Sequence, residues 1–143
     1  EFRRVLFRSY LHTNDRKYLD TAKRIANYFI ANIPESNLIP VDFRQPEDCG
    51  LEDSTAAAIG ACGLIEIAKQ EKGRESRVYL QAALRLLRTL ASERCNWNEE
   101  EDQLLEKCTA AYHDTEHEFS IIYGDYYFLE ALMKLAGKEV FLW

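Results

Sequence analysis

Asp53-Ser54-Thr55-Ala56-Ala57-Ala58-Ile59-Gly60-Ala61-Cys62-Gly63-Leu64-Ile65-Glu66-Ile67-Ala68 is the stretch that decides the fold. From Thr55 to Leu64 it holds no charged side chain, so a helix here has no charged face to turn towards water. A helix apolar all round is a buried helix. Its Ala, Gly and Cys side chains are small, which lets neighbouring helices approach closely. Asp53 or Ser54 can cap it, because their side-chain oxygens accept backbone N–H groups left unpaired in the first turn. The same end carries a positive partial charge and free N–H groups, a natural place for an anion.

Working outward, Asn14 or Asp15 starts a helix running to about Ile33. Leu19, Ala22, Ile25, Ala26, Phe29, Ile30 and Ile33 recur at helical spacing, with Arg16, Lys17, Lys23, Arg24 and Asn27 on other faces. Pro34 stops it. A connection of about twenty residues, long against the ~4–6 typical of compact domains, then leads into the central stretch. Beyond Gly73 a short turn opens a second amphipathic helix, about Arg74 to Leu90, with Tyr79, Leu80, Ala83, Leu84, Leu87 and Leu90 on one side. A second long connection, Ala91 to Phe119, carries the acidic run Glu99-Glu100-Glu101-Asp102, which reads as a solvated loop surface. The final helix starts near Ser120, reads as mostly buried and ends at Gly137.

Helices thus alternate amphipathic and apolar, and each long connection delivers the chain to the start of an apolar helix. That pattern predicts an all-α fold of about four helices in alternating outer and inner layers, with elaborated loops gathered at one rim. The inner-helix starts at Asp53 and Ser120 lie 67 residues apart; two copies do not establish a repeat, and tetratricopeptide and ankyrin periods do not fit.

The bulk numbers bound the function. The chain has 143 residues, 47% hydrophobic and 29% charged, with a net charge of -6. That balance argues against holding nucleic acid by general electrostatics, which needs clustered Lys and Arg. No stretch approaches the ~18 apolar residues of a membrane span. Cys49, Cys62, Cys95 and Cys108 are widely spaced, without a C-x-x-C pair, and suit free thiols in a reducing, cytoplasmic setting. Residues 1–9 are basic in an acidic chain and lack helix-start chemistry; they read as a non-native scar, with residues 10–143 as the domain.

Three segments resemble the C-terminal part of the unsaturated glucuronyl hydrolases, glycoside hydrolase family 88. Tyr18-Leu19-Asp20-Thr21-Ala22-Lys23 with Tyr28-Phe29-Ile30 is similar to an outer helix of the family. Asp53-Ser54-Thr55-Ala56-Ala57-Ala58-Ile59 with Gly63-Leu64 resembles its D-S-S-A-A-A-I…S-G-L-x-E-L segment. Ile121-Ile122-Tyr123-Gly124-Asp125-Tyr126-Tyr127-Phe128-Leu129-Glu130-Ala131-Leu132 resembles its terminal I-Y-G-D-Y-Y-F-L-E-A-L helix and is the most specific of the three.

The resemblance implies part of an (α/α)6 barrel, a six-hairpin toroid with its active site at the N-terminal ends of the inner helices. It implies removal of a 4,5-unsaturated glucuronic acid from the non-reducing end of lyase-generated oligosaccharides, of the glycosaminoglycan type. The reaction is hydration of the C4–C5 double bond, in which an aspartic acid protonates the alkene and an activated water adds. No metal or organic cofactor is implied. Family barrels are more than twice this length. Their catalytic aspartates and W-T-R-G-Q-A-W motif lie upstream of the matched region, so no catalytic residue is expected here and the chain would need the N-terminal part of the barrel. The family's Trp before Asp-Phe is replaced by Val41. Unsaturated rhamnogalacturonyl hydrolases or another toroid sugar enzyme are the alternative, and a helical scaffold binding protein through its loops is the non-enzymatic one.

The candidate substrate contacts are Asp42 and Phe43, Asp53 and Ser54, Thr109 and His113, and Tyr123. Each also has a structural reading. Asp53 and Ser54 suffice as caps, Asp42 as a turn former, Thr109 and His113 as loop surface, and Tyr123 as part of an aromatic core run. Asp42 and Asp53 form a weak candidate for a glycosidic carboxylate pair. His113 and His117 have H-x-x-x-H spacing but lack the helical or C-x-x-C frame of a zinc site.

Overall fold

The computed structural model describes residues 9–113 and 115–138. Its main helices are α1 (Arg16–Ala31), α2 (Ser54–Gln70), α3 (Gly73–Glu93) and α4 (Ile122–Leu135). Residues 9–13 are also helical, so Ser9 continues into ordered structure, while the rest of the 1–9 segment lies outside the described residues.

Asp15 starts α1 by accepting the Lys17 N–H on Oδ1 at 3.0 Å. Its buried face is Leu19, Ala22, Ala26 and Phe29, the helical stripe expected of an outer helix. The α3 helix buries Tyr79, Ala82, Ala83, Leu86, Leu87 and Leu90. Only Glu71 and Lys72 separate it from α2, so the two form a tight antiparallel hairpin. Lys23 of α1 ties that hairpin's turn with ion pairs to Glu71 at 2.9 Å and Glu75 at 2.6 Å. Two hydrogen bonds reinforce the corner, Tyr79 to Asn27 Oδ1 and Ser76 to the Ala68 carbonyl.

The central α2 is buried along nearly its whole length. It packs chiefly against α3 on one side and α4 on the other. Before its exposed last residues, Lys69 and Gln70, only a narrow stripe of Ala56, Ile59 and Gly63 stays partly exposed. Close approach is clearest where α4 crosses the start of α2. A Cβ on Gly124 would stand 2.6 Å from Cys108 Sγ and 3.3 Å from Thr55 Oγ1, so no larger residue fits there without movement.

The expectation of a mostly buried last helix is corrected. α4 buries only Gly124, Phe128 and Ala131. Ile122 is 73% exposed and Tyr123 65%, and Leu129, Leu132, Met133 and Leu135 are also exposed. One face of α4 is covered by α2 and the loop bearing Cys108; nothing among the described residues covers the other. Towards its C-terminal end Lys134 is almost fully buried and ion-paired to Glu66 of α2, with Glu130 at 3.3 Å. Burial works against its charge, but the two carboxylates outweigh it and raise its pKa above the ordinary lysine value.

Candidate functional site

The two long connections meet at the N-terminal end of α2. The first returns there through Asp53 N–H to Ile39 O at 2.8 Å and Val41 N–H to Leu51 O at 3.2 Å. The second crosses over it: Ser54 N–H donates to Lys107 O at 2.9 Å. Asp53 Oδ1 then accepts two N–H groups, Thr55 at 3.0 Å from its own helix and Thr109 at 3.1 Å from the other loop. Thr109, itself 4% exposed, donates its hydroxyl to Glu52 O at 2.8 Å. One carboxylate therefore caps the inner helix and anchors the opposite loop. This convergence favours a site on one rim over an open scaffold groove.

Charge fixes the same junction. Arg94, just past the end of α3, forms a bidentate pair with Glu52, Nε–Oε2 2.7 Å and a guanidinium nitrogen to Oε1 at 3.0 Å. Glu118 accepts from Glu52 N–H at 3.1 Å and pairs with Lys107 Nζ at 2.5 Å. Burial opposes ionisation of Glu118, but Lys107, that N–H and Arg94 hold its carboxyl below the usual range. Lys107 and Glu118 both have positive φ, 57° and 58°. They flank the paired backbone bonds between Cys108 and Phe119, both 2.9 Å, which close the neck of the loop.

Asp53 goes the other way. Its burial outweighs the N–H groups it accepts, and its carboxyl is raised above the ordinary 3.8. The folded state therefore binds its proton more readily than the unfolded chain. Its contribution falls as pH rises from below 3.8 through the folded-state pKa. Asp53→Asn keeps one acceptor oxygen for both N–H groups and is expected to fold like the parent while flattening that acid-side decline. Asp53→Ala loses the cap and the Thr109 anchor and is expected to cost about 2 kcal/mol. Urea midpoints measured across the acid range check both.

Of the expected contacts, the structure brings together Asp53, Ser54 and Thr109. Ser54 is buried beneath the Lys107 crossing. Asp42 is exposed and closes its own turn, accepting Arg44 N–H at 2.7 Å. Phe43 packs edge-on against Tyr28 and Phe29, with centroids 6.4 and 5.7 Å apart, and anchors its loop on α1. His113 is exposed with its ring edge-on to Tyr112, and His117 Nε2 pairs with Tyr112 O at 3.0 Å. Tyr123 stands exposed on the first turn of α4. Sequence reasoning missed the Glu52–Arg94 and Glu118 pairings. They join residues 42 and 66 apart, and no local spacing signals them.

The second inner helix is tied in alike. Asp125, in the first turn of α4, accepts Leu105 N–H on Oδ1 at 2.7 Å and Leu104 N–H on Oδ2 at 3.3 Å. Below it lies the Cys108 thiol, raised by burial, with the Thr55 hydroxyl against it. That hydroxyl is buried and has no conventional hydrogen-bond partner among the described residues.

No protein-family model matches the chain. The unsaturated glucuronyl hydrolase of Bacillus sp. strain GL1 is 38% identical over an alignment 133 residues long that covers 87% of this chain and 34% of that protein. The unsaturated chondroitin disaccharide hydrolase of Streptococcus pneumoniae is 31% identical over 137 residues, 88% of this chain and 33% of that protein. The chain is similar in sequence to about a third of the length of these unsaturated uronyl hydrolases. The crystal structure of the Bacillus sp. GL1 unsaturated glucuronyl hydrolase, whose name links it to glycosaminoglycan degradation, superimposes with a TM-score of 0.83 at 30% identity. It covers 91% of this chain and 36% of that one. The Streptococcus agalactiae unsaturated glucuronyl hydrolase gives a TM-score of 0.85 at 28% identity, over 96% and 36%. The chain spans about a third of the length of the curated relatives it matches, and its helices match part of their all-α toroid. Among the described residues, no helix is long and apolar enough to cross a membrane.

Proposed function

We propose that this chain is the C-terminal third of an unsaturated glucuronyl hydrolase acting in the cytoplasm on oligosaccharides that end in a 4,5-unsaturated glucuronic acid. Residues 10–143 then supply part of the toroid, the floor around the α2 start and one side of its rim. The aspartates that protonate and hydrate the C4–C5 double bond lie in the N-terminal part of the barrel, which also covers the open face of α4. Asp53, Ser54 and Thr109 shape the floor, while Asp42, Phe43, His113 and Tyr123 belong to the rim or its supports. The observation that carries this reading is the 38% identity to the Bacillus enzyme over 87% of the chain, joined to loops that converge on an inner-helix start.

The test follows the ultraviolet absorbance of the unsaturated uronyl double bond in unsulfated and sulfated chondroitin disaccharides. The chain alone is expected to leave the absorbance unchanged. The protein expressed with the upstream coding sequence is expected to abolish it. Turnover by the chain alone would move the chemistry to Asp42 and Asp53, and inactivity of the longer protein on every unsaturated uronyl disaccharide would overturn the proposal.

A further inference from the structure

Arg74, Arg77, Arg85 and Arg88 form one exposed line along α3. At the ~3.6 residues of a helical turn they fall, with Gln81, on the side opposite the face buried against α2. The line is about 21 Å long, from the ~1.5 Å rise of each residue between Arg74 and Arg88. In the toroid proposed above it is the outward side of the outer layer, which closure of the barrel leaves uncovered.

Its charge is uncompensated. From Ser76 to Ser92 the helix has no carboxylate, so Arg77, Arg85 and Arg88 lack an acidic neighbour one turn away. None of the four arginines is ion-paired among the described residues. Lys23 and Arg94, by contrast, are both taken by carboxylates. The placement also works against the helix. Arg74 and Arg77 are three residues apart, as are Arg85 and Arg88, and like charges at that spacing are destabilising. Arg74 stands in the first turn, at the positive end of the helix dipole. A chain of net charge -6 thus carries one wholly basic face whose stabilising partner is not its own.

The shape of the patch selects among anions. It is one helix wide, which fits a slim linear polyanion better than a broad charged surface. Duplex nucleic acid or an anionic membrane would set its own negative charge against the rest of an acidic molecule. No aromatic side chain stands on the line, so the bases of a single strand have nothing to stack on. Val78 is the one large apolar side chain exposed beside it, too little to enter lipid. The guanidinium fork matches the paired oxygens of a sulfate, and a sulfate stays ionised at every pH the protein meets.

We infer that the outward face of α3 is a docking surface for a sulfated polysaccharide chain, whose sulfates pair with Arg74, Arg77, Arg85 and Arg88 along the helix. The choice of a saccharide over an acidic peptide rests on the glycosidase reading above. The surface holds a polymer close to the protein that acts on its fragments.

Calorimetry with a chondroitin 6-sulfate dodecasaccharide tests this. Binding is expected to saturate at low salt and to weaken steeply as salt is raised. Arg77→Gln with Arg85→Gln is expected to weaken it about tenfold. Arg77→Lys with Arg85→Lys keeps the charge but loses the fork, and is expected to fall between. Lys17→Gln with Lys138→Gln removes the same charge elsewhere on the exposed surface and is expected to leave affinity within about twofold. Circular dichroism is expected to be unchanged in all three. Absence of saturable binding, full affinity in the Arg77→Gln, Arg85→Gln variant, or an equal loss in the Lys17, Lys138 control would each overturn the surface. Equal affinity for a poly-glutamate peptide of matched charge, or for a duplex oligonucleotide, would overturn its assignment to a saccharide. Disaccharide turnover by the longer protein is expected to be untouched by the arginine substitutions. Turnover without dodecasaccharide binding therefore removes only the surface, and binding without turnover removes only the glycosidase reading.

Discussion

Replacing Lys134 with methionine is expected to lower the unfolding free energy by about 3–5 kcal/mol, the cost of leaving one charge of a buried pair without its partner. Lys134 and Glu66 are both nearly inaccessible, and their pairing joins α4 to α2 across 68 residues of sequence. Among the described residues the stranded Glu66 would keep Lys69 at 3.5 Å, an exposed and weaker partner. Removing both charges together, as Glu66→Leu with Lys134→Met, is expected to recover most of the loss, because apolar groups of similar volume need no partner. The pH dependence has a definite sign. The folded-state pKa of Lys134 is raised above 10.5, so its contribution is fully present below that pH and is lost as pH rises through the higher value. Urea unfolding of the parent and the two variants, repeated at neutral and alkaline pH, measures both effects.

Gly124→Ala is expected to destabilise the fold although it adds a single methyl group. The added Cβ would sit 2.6 Å from Cys108 Sγ, a side chain that is itself fully buried, and 3.3 Å from Leu105 and Thr55. None of these three can swing into solvent. Overpacking of this kind costs about 1–3 kcal/mol or more. Cys108→Ala removes the sulfur that is struck, so the double variant is expected to be more stable than Gly124→Ala alone. A double-mutant cycle on urea midpoints tests this, since two non-interacting substitutions would simply add.

Local chemistry made the helices legible. Asp15 and Asp53 are the observed caps, and the buried faces of α1 and α3 lie on the apolar sides read from the sequence, with Ala82 and Leu86 of α3 buried where Leu80 and Leu84 were expected. The three quoted segments also led to the family resemblance that the relatives bear out. What the residues concealed is cover. An apolar sequence such as Ile122–Leu135 reports that a helix prefers burial, not which neighbours are there to bury it, and half of α4 lies open. Pairing was hidden for a similar reason. Glu52, Arg94, Lys107 and Glu118 look like ordinary surface charges until the loops bring them together.

The way the rim is stitched also orders the assembly of the chain. The α2–α3 hairpin is made of near neighbours, with a two-residue turn, and contacts of that kind close quickly. The bonds that shape the rim join Glu52 to Arg94, Asp53 to Thr109 and Glu52 to Glu118, over 42, 56 and 66 residues. Their loop-closure entropy is repaid only once both helices stand. The hairpin is thus a template completed early, and the loops at the α2 start set last. Outside the anchors Ile39, Leu105 and Cys108 their apolar burial is slight, so the stretches between those anchors open before the hairpin when the native structure breathes. In this fold the rim around the α2 start is also the kinetically softest surface.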